Sequence, residues 1–143
     1  MKQQIHEVRE YLSQQLYRTE QLSSPKDTED FLAVHLGDKE QEVFAVIFLN
    51  GQNQVIQYAE MFNGTINYTS IFPREIGKLG LKLNAANIIC AHNHPSGTPT
   101  PSESDIAATR TLKETMKLLD ITLLDHIIVA GGKTVSLAER GLV

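Results

Sequence analysis

At 143 residues the chain has the length of one domain, enough to bury about two-thirds of its unfolded surface without staples, so a metal would be free to serve chemistry. A net charge of −4 and the absence of any lysine/arginine run argue against direct nucleic-acid binding, which favours a basic surplus or stripe. The single cysteine, Cys90, excludes an internal disulfide framework, and the polar start MKQQIHEVREYL lacks the apolar core of a signal segment. No membrane span is expected and a cytoplasmic location is the default.

Ile5, Val8, Leu12 and Leu16 follow helical spacing and predict an amphipathic helix over the first twenty residues. Ser24-Pro25-Lys26-Asp27 supplies a capping hydroxyl, a first-turn proline and an acid, so a second helix is expected to run to Gly37. Residues 42–49 (EVFAVIFL) are a continuous apolar run rich in β-branched and aromatic residues, the pattern of a strand buried on both faces. Asn50-Gly51 turns the chain, 54–62 reads as the hairpin partner, and a shorter strand is expected around 65–71. Pro73-Arg74-Glu75 opens a helix to about Leu83, 87–92 is an apolar strand, and Ser102 opens a long helix to about Leu119. A strand over 121–130, the Gly131-Gly132 turn and a last strand over 133–137 follow. The order predicts a single mixed β-sheet flanked by helices, an α/β or α+β domain over residues 38–143, preceded by a helical segment over 1–37.

Chemistry concentrates in AHNHPSGTPTPSESD, residues 91–105. Residues two apart on a strand share a face, so His92 and His94 can present both imidazoles to one side. The prolines and glycine of 95–101 fix the path to Asp105, three residues into a helix that begins at Ser102. Two imidazoles and a carboxylate make three zinc ligands and leave a fourth position for water, as in catalytic sites; no second cysteine exists to close it. Each piece has a plainer explanation. H-x-H alone is a weak signal, Ser102-x-x-Asp105 reads as a helix capping box, and the loop could be a surface turn. A hydrolytic site also needs a proton carrier. Glu42, at the mouth of the most apolar strand, suits the role because partial burial raises a carboxylate's pKa toward neutrality; Glu40, Glu60 and Glu75 compete. Cys90 reads as a small buried hydrophobe beneath the histidines, and His35 as packed or half-exposed. His6 reads as a surface residue. His126 reads first as a hydrogen-bonded structural histidine and second as a group orienting a metal ligand. Arg74 reads as a local helix-start partner of Glu75 or a substrate contact.

At these residues the chain resembles the RadC-like branch of the JAB/MPN domains, which carry the JAMM zinc motif. The motif reads here as Glu42, His92-Asn93-His94, Ser102 and Asp105. The branch shows in HNHPSG at 92–97, PRE at 73–75, Asp125-His126 followed by IIV, and the C-terminal S-x-x-E-x-G-L from Ser136 to Leu142. The resemblance covers residue 38 to the end. With only 37 residues before it, too few for a helix-hairpin-helix segment, the chain resembles short stand-alone members, which weakens a DNA-binding inference. The resemblance implies a cytidine-deaminase-like sheet flanked by helices and a zinc-dependent metallopeptidase-type hydrolase acting on a peptide or protein. It implies His92, His94 and Asp105 as ligands, Glu42 as acid/base and Ser102 as oxyanion donor. Two other functions stay open: a DNA-repair-associated protein, and a zinc-bearing scaffold without turnover. Deaminase chemistry lacks its cysteine ligands here. The substrate bond and the oligomeric state are left undetermined.

Overall fold

The computed structural model describes residues 24–64, 66 and 71–143. The helix expected over the first twenty residues lies outside them, as does most of the strand expected over 65–71.

Helix α1 (Pro25–Leu36) starts where the Ser24 hydroxyl accepts the Asp27 N–H, and Gly37 caps its end. Strand β1 (Val43–Leu49) is buried at every residue, and alternation explains why. Phe44, Val46 and Phe48 point to one side of the sheet, Val43, Ala45, Ile47 and Leu49 to the other. The first set packs with Ile76, Leu112 and Met116; the second packs with Phe31, Leu32 and Leu36 of α1. The turn to β2 (Val55–Asn63) is held by the Asn50 side-chain oxygen, which accepts the N–H groups of Gln52 (2.9 Å) and Gln54 (3.0 Å). Helix α2 (Pro73–Lys82) lies close against the segment after the next helix. A Cβ on Gly77 would come to 2.7 Å from Leu119 Cδ1, a side-chain end that would have to shift, so glycine eases this crossing.

Strand β3 (Asn87–Asn93) pairs antiparallel with β1, and helix α3 (Glu103–Leu118) crosses over to β4 (Thr122–Ala130), which runs parallel to β3. Strand β5 (Lys133–Ser136) closes a hairpin. The result is one mixed five-stranded sheet in the order β2-β1-β3-β4-β5, the expected α/β architecture. Helices α2 and α3 cover one face and α1 the other. Among the described residues, no helix is long and apolar enough to cross a membrane.

Topology positions the site. Strands β1 and β3 are antiparallel with Phe44 opposite His92, so the residues entering β1 lie beside those leaving β3. Parallel β3 and β4 require a crossover, and the start of α3 meets the same sheet edge.

Candidate metal centre

His92 ends the buried part of β3 on the α3 face, in line with Phe44 and Cys90. His94 lies just beyond the strand, its N–H donating to Val129 O at 2.9 Å. Asp105 arrives from the first turn of α3, where a reciprocal cap fixes it. The Ser102 Oγ accepts the Asp105 N–H (2.9 Å), and the Asp105 carboxylate accepts the Ser102 N–H (2.8 Å). The capping box and the metal-ligand pattern are therefore one structure: the cap aims the carboxylate.

The three groups converge. His92 Nε2 lies 2.9 Å from His94 Nε2 and 3.1 Å from Asp105 Oδ1, and His94 Nε2 lies 3.2 Å from Asp105 Oδ2. Ligands of a tetrahedral zinc, each about 2.0–2.1 Å from the metal, sit roughly 3.3 Å from one another. His92 and Asp105 are buried and His94 is half-buried, so the cluster is a group that could hold a metal ion.

The other ring nitrogens support this. His94 Nδ1 lies 2.8 Å from the carbonyl of Thr98, an acceptor only, so it carries hydrogen and leaves Nε2 bare in the neutral ring. The loop that provides Thr98 turns at Gly97, whose φ of +85° favours glycine. His92 Nδ1 lies 2.7 Å from His126 Nε2. Two imidazole Nε2 atoms and a carboxylate pressed together call for a cation or a shared proton between them, and the residues present fit a divalent metal.

The charges of the cluster offset one another. The hydrogen bond to Asp105 raises the His94 pKa against the opposing effect of burial, with smaller help from the Thr98 carbonyl and the charges of Asp105 and Glu42. Burial alone would push the Asp105 carboxyl up, but bonds from His92 and His94 outweigh it and hold Asp105 far below the usual carboxylate range. Burial, reinforced by the His92 charge, holds His126 well below the ordinary histidine value.

Glu42 is half-buried just ahead of β1, close enough for its charge to act on His94. Its Oε2 accepts the N–H of Ile66, which fixes the side chain. The competing glutamates lie elsewhere: Glu40, Glu60 and Glu75 are exposed, and Glu60 pairs with Lys39 at 3.3 Å. Arg74 is exposed in the first turn of α2. Cys90 is fully buried in the core, and burial pushes its thiol pKa far up, which keeps it an inert packing residue. His35 is buried, stacked on Phe31 with ring centroids 3.9 Å apart. His6 lies outside the described residues. His126 is both buried and hydrogen-bonded, as a structural histidine would be, and it backs His92.

Two residues escaped sequence reasoning. Asn93 stands between the histidines on the opposite strand face. Its Oδ1 accepts the Val43 N–H (2.7 Å), and its Nδ2 donates to the carbonyls of Gln41 (2.9 Å) and Lys39 (3.3 Å). It thereby ties the segment carrying Glu42 to the strand carrying both histidines. Thr109, buried one turn after Asp105, bonds His126. The signal for Asn93 was its parity: a polar residue facing away from the histidines at the end of a buried strand must find backbone partners.

Comparison with known proteins gives the family. The family model described as RadC-like JAB domain matches residues 22–142. The chain is 47% identical over 136 residues to a UPF0758 protein of Marinobacter nauticus, covering 95% of this chain and 61% of that protein. It is 47% identical over 134 residues to a UPF0758 protein of Chromobacterium violaceum, covering 94% of this chain and 60% of the relative. A third UPF0758 protein, from Thioalkalivibrio sulfidiphilus, is 50% identical over 135 residues, covering 94% of this chain and 60% of its own length. The chain thus spans about three-fifths of the length of these relatives.

Proposed function

The chain belongs to the RadC-like JAB domain family, and from its site we propose that it acts as a zinc-dependent hydrolase of the JAMM type, cleaving peptide or isopeptide bonds. The observation that carries this reading is the convergence of His92 Nε2, His94 Nε2 and the Asp105 carboxylate at 2.9–3.2 Å. Two imidazoles with one carboxylate and no thiolate match the donor set of catalytic rather than structural zinc. When bound, zinc would supply Lewis acidity, lowering the pKa of water toward neutrality and polarising a substrate carbonyl.

The chain's own residues supply the rest. Glu42, held by Ile66 through one carboxylate oxygen, accepts the proton of the attacking water and returns it to the leaving amine. Ser102 accepts the Asp105 N–H with its oxygen, so its hydrogen is free to donate to the carbonyl oxygen as that atom gains charge. The substrate class is a peptide or protein. A cytoplasmic location belongs to the same reading, and the net charge of −4 disfavours nucleic acid as the substrate.

The test is elemental mass spectrometry of untagged protein, followed by turnover of peptide and isopeptide libraries by wild type and Glu42→Gln. Stoichiometric zinc in both, with turnover reduced by about 10²–10⁴-fold in the variant, is the expected result. Equal turnover in Glu42→Gln removes the acid/base assignment. Protein that neither contains nor takes up zinc removes the hydrolase reading, and zinc-bearing protein without turnover leaves a scaffold in its place.

A further inference from the structure

We propose that Thr109 and His126 form a hydrogen-bond relay that fixes the tautomer of His92, so that its Nε2 is the bare nitrogen facing His94 and Asp105. The inference rests on the metal-site reading above and names the positioning residues behind it.

Thr109 sits one helical turn after Asp105 on α3, and its hydroxyl lies 2.7 Å from the Asp105 main-chain carbonyl. A carbonyl oxygen only accepts, so the hydroxyl hydrogen is committed there. The Thr109 oxygen then has only lone pairs to offer His126 Nδ1, with which it is in hydrogen-bond contact. That nitrogen must therefore carry the hydrogen. His126 is buried at 1% exposure, where the neutral ring with a single hydrogen is the favoured form. Its Nε2 is then an acceptor. The 2.7 Å contact with His92 Nδ1 requires one hydrogen between the rings, and it belongs to His92. A neutral His92 with hydrogen on Nδ1 has a bare Nε2, the atom 2.9 Å from His94 Nε2 and 3.1 Å from Asp105 Oδ1.

With the Thr109 hydrogen on the Asp105 carbonyl and His126 neutral, each later link has one direction. The chain of bonds begins at a backbone carbonyl, which cannot change its role, and ends at the His92 Nε2 lone pair. Asp105 contributes twice: its carboxylate joins the cluster, and its carbonyl orders the relay that prepares His92. Packing holds the rings in place, with His126 edge-on to Phe44 at 5.5 Å and His92 stacked on Phe44 at 6.2 Å between centroids.

Thr109→Val keeps the branched shape and removes the hydroxyl. His126 Nδ1–H then loses its acceptor, and the ring gains by moving its hydrogen to Nε2. His92 must then accept at Nδ1 and carry hydrogen on Nε2, where it cannot bind a metal. Thr109→Ser retains the hydroxyl, and His126→Gln retains an oxygen able to accept from His92.

The test measures zinc affinity by competition with a chromophoric chelator and reads the His92 tautomer by nitrogen NMR of the imidazole in chelator-treated protein at mildly alkaline pH. Thermal melts control for folding. The expected result is a loss of zinc affinity of about 10–100-fold in Thr109→Val, with Thr109→Ser and His126→Gln near wild type. The His92 hydrogen should sit on Nδ1 in wild type and on Nε2 in Thr109→Val. Wild-type affinity in Thr109→Val, or weakened affinity with the His92 hydrogen still on Nδ1, overturns the relay. If wild type takes up no zinc, the hydrolase reading fails, and the tautomer in wild type alone decides the relay. The same spectrum decides if Thr109→Val does not fold: hydrogen on His92 Nε2 in wild type refutes it.

Discussion

Asp125 and His126 are neighbours on β4 that face opposite sides of the sheet, and both are held by hydrogen bonds, to different ends. Asp125 faces the α1 side, where it lines a cavity of about 300 Å³ together with Thr28, Ile89 and Ile127. Its carboxylate accepts from the His126 N–H (2.7 Å), the Ser136 hydroxyl (2.6 Å) and the Ala138 N–H (3.0 Å). Every bond returns to the chain itself, and the group pins the C-terminal turn to the sheet. His126 faces the α3 side, and its bonds run from Thr109 to His92, whose Nε2 lies 2.9 Å from His94 Nε2. Asp125 is thus a structural group, whereas His126 adjoins the candidate metal centre. The cavity belongs to the first kind of region, and its volume does not make it the centre of the chemistry.

The largest effect is expected at Asp105. Asp105→Ala should lose zinc altogether by elemental analysis, since it removes a ligand and the cap that orders the start of α3. Full zinc uptake would reduce Asp105 to a cap. Asn93→Ala should destabilise the fold by about 1–3 kcal/mol in urea melts, because it leaves the buried Val43 N–H without a partner. It should also lower turnover while zinc content holds, since it frees the segment carrying Glu42; loss of zinc instead would mean that Asn93 shapes the ligands.

Ser136→Ala acts on the other face of the sheet. Removing a donor to Asp125 should cost about 1–2 kcal/mol of stability with zinc affinity unchanged, and a change in affinity would couple the two faces.

The pH response has a sign on each side. His94, with a raised folded pKa, contributes stability that is complete below its ordinary value of 6.5 and is lost as pH rises through the folded value. His126, with a lowered folded pKa, contributes above 6.5 and loses this as pH falls toward its folded value; Asp105 adds a further loss at acid pH. Chelator-treated protein should therefore be most stable near pH 6.5, and bound zinc should remove the alkaline loss. Denaturation across pH with chelator and with zinc checks this; stability that keeps rising above neutral pH in chelator contradicts the His94–Asp105 pair. The smallest effect belongs to Glu139→Ala at the exposed rim of the cavity, expected within about 0.5 kcal/mol and neutral for zinc affinity.

Among the described residues, the elements and the cluster were legible in the linear sequence. Alternation and apolar length identified β1 as doubly buried, Ser24-Pro25 announced α1, and the H-x-H pair followed by Ser-x-x-Asp identified the three groups that converge. Those signals are local: strand parity, cap spacing and a stiff loop act within a dozen residues, so they survive in a linear reading. Which residues stand behind that cluster follows from the folded sheet alone. Asn93 reaches Val43 across 50 residues, and His126 meets Thr109 across 17 and His92 across 34. Those meetings depend on strand order and register, on Phe44 lying opposite His92 and Cys90 opposite His126. A one-residue slip would turn each side chain to the other face. Local chemistry marks the three groups that converge, and the long-range pairing of the sheet decides which residues stand behind His92.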